Sequence, residues 1–226
     1  MKHLIALLML LPLLTAYGQT DETVYRLELG GGLGAALNFT DVADKPGVAL
    51  AAVARLPIYP RMAAKVQFTY NSLKGNTAQA KGFLPARPDQ AGPERLNHSV
   101  SGGMCDLSAL YELHFLPYGY VRDYKGHCRL VPYLQMGLGL TYGTAAQAFT
   151  PNIPLGAGLK YKVAERLNLG IDWLVHFTLN DKLDDLKAPL GISASGFRNK
   201  DHYATLQCTL TYDLRPKCPT CNRDLR

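Results

Sequence analysis

The chain has 226 residues, of which 47% are hydrophobic and 19% are charged, and its formal net charge at pH 7 is +6. This composition argues against an intrinsically disordered chain, because it holds enough apolar surface to form a folded core. No apolar run reaches 18 residues, so the sequence predicts no membrane-spanning helix. The length suits one β-barrel domain.

The first 18 residues are interpreted as a secretory signal peptide. A short cationic start at 1–3 precedes an apolar core at 4–14 and a small-x-small cleavage site at 16–18. We expect the mature chain to begin at Gln19 and its cysteines to meet an oxidising compartment. No cysteine lies near the cleavage site, which argues against an acyl-anchored lipoprotein.

After this segment, apolar side chains alternate with polar residues or glycine in eight runs. Successive side chains of a strand point to opposite faces, so each run has one apolar and one polar face. The runs lie at 25–33, 50–56, 62–70, 105–115, 134–142, 153–161, 167–177 and 204–214. No run has the period of an amphipathic helix, and the fold class is predicted to be all-β.

Two all-β folds could use this pattern, because a soluble barrel or sandwich turns its apolar face inward and a membrane barrel turns it outward. Many runs reach the length of about 9 to 11 residues that a tilted membrane strand needs, whereas globular strands usually hold about 5 or 6. Aromatic residues also lie near many strand ends, where membrane barrels carry interfacial girdles. The sequence therefore predicts an eight-stranded antiparallel outer-membrane β-barrel over 19–215, followed by a tail at 216–226.

The lengths of the connections predict the orientation of this barrel. Long segments at 36–47, 74–98, 143–150 and 179–200 alternate with shorter ones at 57–60 and 163–166. Outer-membrane barrels have short periplasmic turns and long external loops, so both termini are predicted to be periplasmic. The connection at 116–129 is long for a periplasmic turn and is a candidate functional feature.

The polar face of the runs predicts a charged lumen. Its candidate members are Arg26, Glu28, Lys65, Asp106, Glu112, His114, Lys160, Asp172 and His176. A lumen enclosed by eight strands is just wide enough for side chains, and charges buried there must pair. We expect paired charges that plug the barrel, with a proton path or small pore as the alternative.

An enzyme is the hypothesis from another class, since some small outer-membrane barrels act on lipid. Ser99 with His98 or His176 could supply a nucleophile and a base, and Asp172 an orienting group. Adjacent residues of a strand point to opposite faces, however, and neither G-x-S-x-G nor H-E-x-x-H occurs in the sequence. The sequence predicts a non-enzymatic protein without a cofactor, a metal or a small-molecule substrate.

The five cysteines divide by location. Cys105 and Cys208 fall on apolar strand faces and are predicted to face lipid, whereas Cys128, Cys218 and Cys221 map to the periplasmic side. The C-x-x-C at 218–221 can indicate redox chemistry, part of a metal site or a disulfide. We favour a disulfide in the tail or to Cys128, and a bond to a partner chain stays open because three thiols leave one over.

Basic residues outnumber acidic ones in the segments predicted to be periplasmic, and Arg55, Lys162 and Asp213 are predicted to lie at this rim as well. The candidate docking residues are Arg122, Lys125, Arg129, Arg215, Lys217, Arg223 and Arg226. A basic rim can be merely solvated, or it can steer an acidic periplasmic protein to the barrel. Export excludes a nucleic-acid partner.

Several stretches resemble a known family. They are YELHFLPYGY at 111–120, PYLQMGLGLTYG at 132–143, IPLGAGLKYKVAERLNLGIDW at 153–173, NDKLDDL at 180–186 and CTLTYDLRPKCPTC at 208–221. Together they resemble the PorG-like small outer-membrane β-barrels of Bacteroidetes. The resemblance implies an eight-stranded barrel that holds the periplasmic ring of the type IX secretion system at the outer membrane.

The leading functional hypothesis is thus a barrel that sits in outer-membrane lipid and anchors or scaffolds a periplasmic assembly, with periplasmic secretion proteins as partners. The alternative is a stand-alone barrel whose external loops bind a ligand or a surface partner.

Overall fold

The computed structural model of the protein describes residues 25–39, 43–44, 46–76, 99–120, 127–144, 147–178 and 202–216. They form nine strands: β1 Tyr25–Phe39, β2 Ala43–Asp44, β3 Gly47–Tyr59, β4 Met62–Asn76, β5 Ser99–His114, β6 Leu130–Gly143, β7 Ala148–Lys162, β8 Leu167–Thr178 and β9 His202–Pro216. No helix in these ranges is long and apolar enough to cross a membrane. The predicted signal peptide lies outside the described residues.

Eight of these strands form one closed antiparallel barrel in which sequential strands are neighbours. Strand β9 closes the barrel on β1, with Glu28 opposite Asp213. The two-residue strand β2 only extends the edge of β4, where Ala43 pairs with Asn76. The predicted eight-stranded antiparallel barrel is therefore confirmed, and the wall has no free edge because every long strand has two partners.

The two ends of the barrel differ in their connections. One end, here called the turn end, carries Tyr25, Pro216, the two-residue turn at 60–61, the connection at 115–129 and the turn at 163–166. The opposite end, the loop end, carries the connections at 40–46, 77–98, 144–147 and 179–201. The prediction of a long connection at 143–150 is wrong, because β6 extends to Gly143 and β7 begins at Ala148. The strands extend further toward the loop end than the sequence predicted, since β4 and β5 stay paired up to Asn76 and Ser99.

The wall is apolar outside and polar inside. On β8, Ile171 and Trp173 are 48% and 56% exposed on the outer face, while Asp172 and His176 of the same strand are buried. Exposed apolar side chains surround the barrel on the other strands as well, among them Leu33, Leu50, Phe68, Leu107, Leu138, Leu155 and Leu210. A soluble barrel would hide this surface from water, so the arrangement excludes the soluble alternative and fits a wall that contacts lipid.

Aromatic side chains mark both rims of the apolar surface. Tyr161 and Tyr212 are 40% and 45% exposed near the turn end. Near the loop end, the rings of Tyr142 and Phe149 contact each other with centroids 4.8 Å apart. Such girdles lie at the membrane–water interfaces of transmembrane barrels, so they set the depth at which this barrel would sit.

The orientation of β8 yields a prediction about membrane assembly. Replacing Ile171 by Arg should lower the free energy of unfolding by about 2–4 kcal/mol, because an arginine then faces hydrocarbon near the midplane. The matched control is Leu130→Arg, which places the same side chain at the turn-end rim and should cost about 0–1 kcal/mol. Equilibrium urea unfolding in lipid vesicles measures both; equal losses would contradict the outward position of Ile171.

Candidate functional site

A layer of ion pairs crosses the lumen nearer the turn end, and Arg55 lies at its centre. The guanidinium contacts Glu28, and its Nη2 donates a hydrogen bond to Oε1 of Glu112 at 3.0 Å. All three side chains are buried. The layer joins β5 to β1 and β3, which are not its neighbours in the wall.

Two lysines extend this layer to the other side of the lumen. Nζ of Lys160 donates to Oε2 of Glu28 at 2.6 Å. Nζ of Lys65 lies 3.3 Å from Oε1 of Glu112 and 3.4 Å from Oδ1 of Asp172. Each carboxylate of the layer thus has at least one cation partner, which offsets much of the cost of removing these charges from water.

Asp172 is also held by neutral donors. Nε2 of Gln135 donates to Oδ1 of Asp172 at 3.0 Å, and the Tyr133 hydroxyl donates to the same oxygen. A Cβ atom at position 158 would lie 2.5 Å from the Tyr133 ring, so Gly158 leaves the space that this ring fills. The glycine on the inner face therefore permits the contact between Tyr133 and Asp172.

A second layer closes the turn end. Lys162 contacts Asp213, and Nδ2 of Asn168 donates to Oδ1 of Asp213 at 2.9 Å. The Tyr118 hydroxyl donates to Oδ1 of Asn168 at 2.7 Å, and Nζ of Lys160 lies 4.3 Å from the centroid of the Tyr118 ring. Tyr118 thus covers the mouth of the lumen as a side chain of the connection between β5 and β6.

Burial, aided by the nearby negative charges of Glu28 and Asp213, raises the pKa of the Tyr118 hydroxyl above its usual value. The hydroxyl therefore stays neutral and keeps donating its proton to Asn168 throughout the physiological pH range.

The backbone of this connection is folded onto the barrel. Tyr118 N donates to Pro60 O at 3.0 Å, which joins the connection to the turn between β3 and β4. Gly119 N donates to Cys128 O at 3.1 Å, and Cys128 N donates to Pro117 O at 2.8 Å. We call residues 115–120 and 127–129 the turn-end cap; the interpretation of 116–129 as more than a plain turn agrees with this geometry.

A third polar cluster lies toward the loop end. Asp106 accepts hydrogen bonds from Ser108 at 2.5 Å, Thr141 at 3.0 Å and Asn152 at 2.6 Å. The His176 ring stacks on Tyr203 with centroids 4.3 Å apart, and its Nδ1 lies 3.8 Å from Oδ1 of Asp106. The carboxylate is therefore held by neutral donors beside an imidazole.

The structure places most of the predicted lumen residues inside the barrel. Glu28, Lys65, Asp106, Glu112, His114, Lys160, Asp172 and His176 are each at most 5% exposed. The prediction that Arg26 lies in the lumen is wrong, because its side chain is exposed. It is the second residue of β1, at the turn-end rim, where a guanidinium can stay hydrated instead of entering the lumen.

Three charged residues of the lumen were assigned to the rim by sequence. Arg55, Lys162 and Asp213 are buried and ion-paired, so they add nothing to an exposed basic surface. The alternation of strand faces could have identified two of them as lumen residues. It puts Lys162 on the same inward face as Lys160, and Asp213 on the same inward face as Thr211. Their assignment to the rim was wrong because a residue near the end of a strand can still point into the lumen.

Few of the predicted docking and cysteine residues fall within the described part of the chain. Arg129 is exposed, with its guanidinium 4.4 Å from the centroid of the Tyr120 ring, and Cys128 is half-buried in the turn-end cap. The backbone of Arg215 belongs to β9. The other candidates, Arg122, Lys125, Lys217, Arg223, Arg226, Cys218 and Cys221, lie outside the described residues, as does His98 of the enzyme hypothesis.

The described inner face is close to neutral. Its buried cations are Arg55, Lys65, Lys160 and Lys162, and its buried carboxylates are Glu28, Asp106, Glu112, Asp172 and Asp213. Within the described ranges, no cluster of three or more His, Cys, Asp or Glu side chains could hold a metal ion. The cations and carboxylates contact each other across the space through which ions would pass. We call these buried charged side chains the plug.

Removing the central cation tests this arrangement. Arg55→Met should lower the free energy of unfolding by about 3–5 kcal/mol, because Glu28 and Glu112 both lose a partner inside the lumen. The exposed Arg129 gives the matched control, and Arg129→Met should change it by less than about 1 kcal/mol. Urea unfolding in lipid vesicles reports both values; a small effect of Arg55→Met would mean that the lumen is hydrated at this depth.

The fold resembles those of solved surface and outer-membrane proteins. The crystal structure of Neisserial surface protein A covers 83% of this chain and 97% of its own, with 13% identity and a TM-score of 0.52. Ail, the attachment invasion locus protein of Yersinia pestis, covers 85% of this chain and 100% of its own, with 10% identity and a TM-score of 0.47. No family model and no curated protein matches the sequence, so the PorG-like assignment stays a prediction. At the level of fold, the chain is a small eight-stranded β-barrel of the outer-membrane type.

Proposed function

We propose that this chain is a non-enzymatic outer-membrane β-barrel that anchors or scaffolds a periplasmic assembly through its turn end. The turn-end cap is the observation that carries the proposal. A plain turn needs only a few residues, yet here the chain folds back over the mouth, bonds to Pro60 and places Tyr118 against Asn168. This connection gives the barrel a fixed surface at one end.

We infer that the turn end faces the periplasm. Its described turns at 60–61 and 163–166 are short, whereas the connections at 77–98 and 179–201 of the loop end are long. Bacterial outer-membrane barrels keep short turns in the periplasm and long loops outside. The amino-terminal segment interpreted as a signal peptide supports export of the chain.

Exposed cations surround the cap and favour an acidic partner. Arg26, Arg129 and Arg166 are exposed at the turn end. Hydrogen bonds with Tyr212 and Tyr25 raise the pKa of Arg166, and a guanidinium is protonated at physiological pH without that shift. Complementary charge steers association and fixes the orientation of the partners more than it adds affinity. The candidate residues of the tail would add to the same surface.

The finer proposal is that the assembly is the periplasmic ring of the type IX secretion system. Its support is the resemblance of the sequence between 111 and 221 to PorG-like barrels. The plug supports an anchoring role indirectly, because a barrel filled by Arg55, Lys65 and their partners is poorly suited to transport.

A second candidate is a stand-alone barrel that binds a ligand or a surface partner through its external loops. The pairing of β4 with β5 up to Asn76 and Ser99 favours it, because a long hairpin then supports the connection at 77–98. In this case the functional surface is the loop end, and the turn-end cap only closes the lumen.

Charge reversal distinguishes the two candidates. The triple variant Arg26→Glu, Arg129→Glu and Arg166→Glu should reduce recovery of a stoichiometric periplasmic partner by about tenfold or more, because like charges then face the acidic surface. The control reverses Lys74, Lys81 and Lys182, which belong to β4 and to the loop-end connections. Cross-linking in intact cells, followed by purification of the barrel, measures the recovery.

Deleting 217–226 tests the contribution of the tail, since Pro216 still pairs with Tyr25 after this change. The truncated barrel should stay folded and heat-modifiable in the outer membrane but recover less partner. Partner recovery that is unchanged after the charge reversal, after this deletion and after Cys128→Ser would contradict the turn-end proposal. A loss of partner recovery only in the loop-end control would favour the second candidate.

The plug predicts a closed barrel. The purified protein should give no stepwise current in a planar lipid bilayer. The variant Arg55→Ala, Lys65→Ala and Glu112→Ala removes the centre of the layer and should conduct, because the contacts that cross the lumen are gone. Ohmic steps from the unmodified protein would instead support the small-pore alternative.

A further inference from the structure

The outer wall contains a groove at the middle of β1 and β9. Its volume is about 440 Å³, and its lining residues are Gly31, Gly32, Leu33, Leu50, Ala51, Cys208 and Leu210. The side chains that stand at its sides, Leu33, Leu50, Cys208 and Leu210, are exposed on the outer face. The groove therefore opens toward the surrounding hydrocarbon and not toward the lumen.

The groove exists because position 31 has no side chain. Gly31 lies on the outer face between Leu210 of β9 and Ala52 of β3. A Cβ atom at this position would lie 3.1 Å from the carbonyl oxygen of Ala51. An empty groove would deprive its walls of dispersion contacts, and a hydrocarbon chain is the occupant that a membrane supplies.

A cation lies at the turn-end rim below the groove. The Arg166 guanidinium forms hydrogen bonds with Tyr212 and Tyr25, and its Cζ lies 5.8 Å from the centroid of the Tyr25 ring. The Tyr25 hydroxyl donates to Oε1 of Glu165 at 3.0 Å. Arg26, next to Tyr25 in the chain, is also exposed at this rim. Two guanidinium groups thus accompany one carboxylate, and the local charge favours an anionic group such as a phosphate.

The rim cation and the groove are one acyl chain apart. Tyr212, Leu210 and Cys208 are successive outward residues of β9. The distance from Tyr212 to Cys208 is about 14 Å, at a rise of about 3.4 Å per residue. Each leaflet contributes about half of the roughly 30 Å hydrocarbon core. A lipid whose headgroup is at Arg166 can therefore place an acyl chain in the groove.

We propose that this face of the barrel binds one glycerophospholipid, with its phosphate on Arg166 and an acyl chain in the groove beside Gly31. A guanidinium binds phosphate oxygens through two parallel N–H donors. Because headgroup and chain belong to one molecule, binding of one part raises the effective concentration of the other. This distinguishes the bound lipid from those that only surround the wall.

The leaflet of the lipid follows from the orientation inferred above. If the turn end faces the periplasm, the bound molecule is a phospholipid of the periplasmic leaflet. A phosphate on Arg166 leaves Arg129 of the turn-end cap exposed toward the acidic partner, so lipid and partner can bind at the same time.

Native mass spectrometry of the purified barrel counts the lipids that it retains. Titration with dioleoylphosphatidylglycerol should give one lipid per barrel before further lipids are retained. Dihexanoylphosphatidylglycerol has the same headgroup but chains too short to reach the groove, and dioleoylglycerol has the same chains without a phosphate. Each should bind about tenfold more weakly, because each lacks one of the two contacts.

Two variants remove one contact each. Arg166→Gln removes the phosphate contact and Cys208→Phe fills the groove, so each should weaken retention of dioleoylphosphatidylglycerol about tenfold. The matched controls Arg129→Gln and Cys105→Phe make the same kinds of change elsewhere on the barrel and should leave retention unchanged. Heat-modifiable migration confirms that each variant forms the barrel, and Gly31→Leu fills the groove from β1 if Cys208→Phe does not fold.

Equal retention by all variants would overturn the proposal, because the lipid would then only surround the wall. A loss caused by Arg166→Gln alone, or by the groove-filling variants alone, would overturn it as well, since the site needs both contacts. So would a dimer cross-linked through Cys208, which would assign the groove to a second copy of the chain. None of these measurements involves a periplasmic partner, so their outcome is independent of partner recovery.

Discussion

The lumen of an eight-stranded barrel is too narrow to hydrate a charged side chain, and this constraint governs the rest of the structure. Arg55 can be buried only because Glu28 and Glu112 contact it, and those carboxylates are tolerable only because Lys160 and Lys65 reach them. Removing one partner of such a network leaves a charge with neither water nor counterion. The inner face is therefore filled by mutually dependent side chains, while the outer face needs only apolar ones.

Much of the fold could be predicted from the period of two. Because it is a local property of a strand, it places Ile171 outside and Asp172 inside without knowledge of any other strand. It carries no information on depth along the barrel axis, which depends on strand tilt and stagger. For this reason Arg55 looked like a rim residue although it lies at the centre of the plug, and Arg26 was assigned to the lumen although it lies at the rim.

The ion pairs and hydrogen bonds inside the lumen could not be predicted from the sequence, for a related reason. Glu28 and Lys160 are 132 residues apart, and they meet only because β1 and β7 lie on opposite sides of a closed wall. The same holds for the contact of Tyr118 with Asn168, which depends on how the connection between β5 and β6 folds back. The length of that connection signalled a special feature, but only the closed barrel shows that it contacts the plug.

The outward positions of Cys105 and Cys208 have a chemical consequence. A thiol reacts with oxidants and disulfides as its thiolate, and hydrocarbon cannot solvate that anion. Lipid against the outer face also separates both side chains from water-soluble oxidants and disulfides. The membrane would thus place the described cysteines in two environments, with hydrocarbon around Cys105 and Cys208 and the turn-end cap around Cys128.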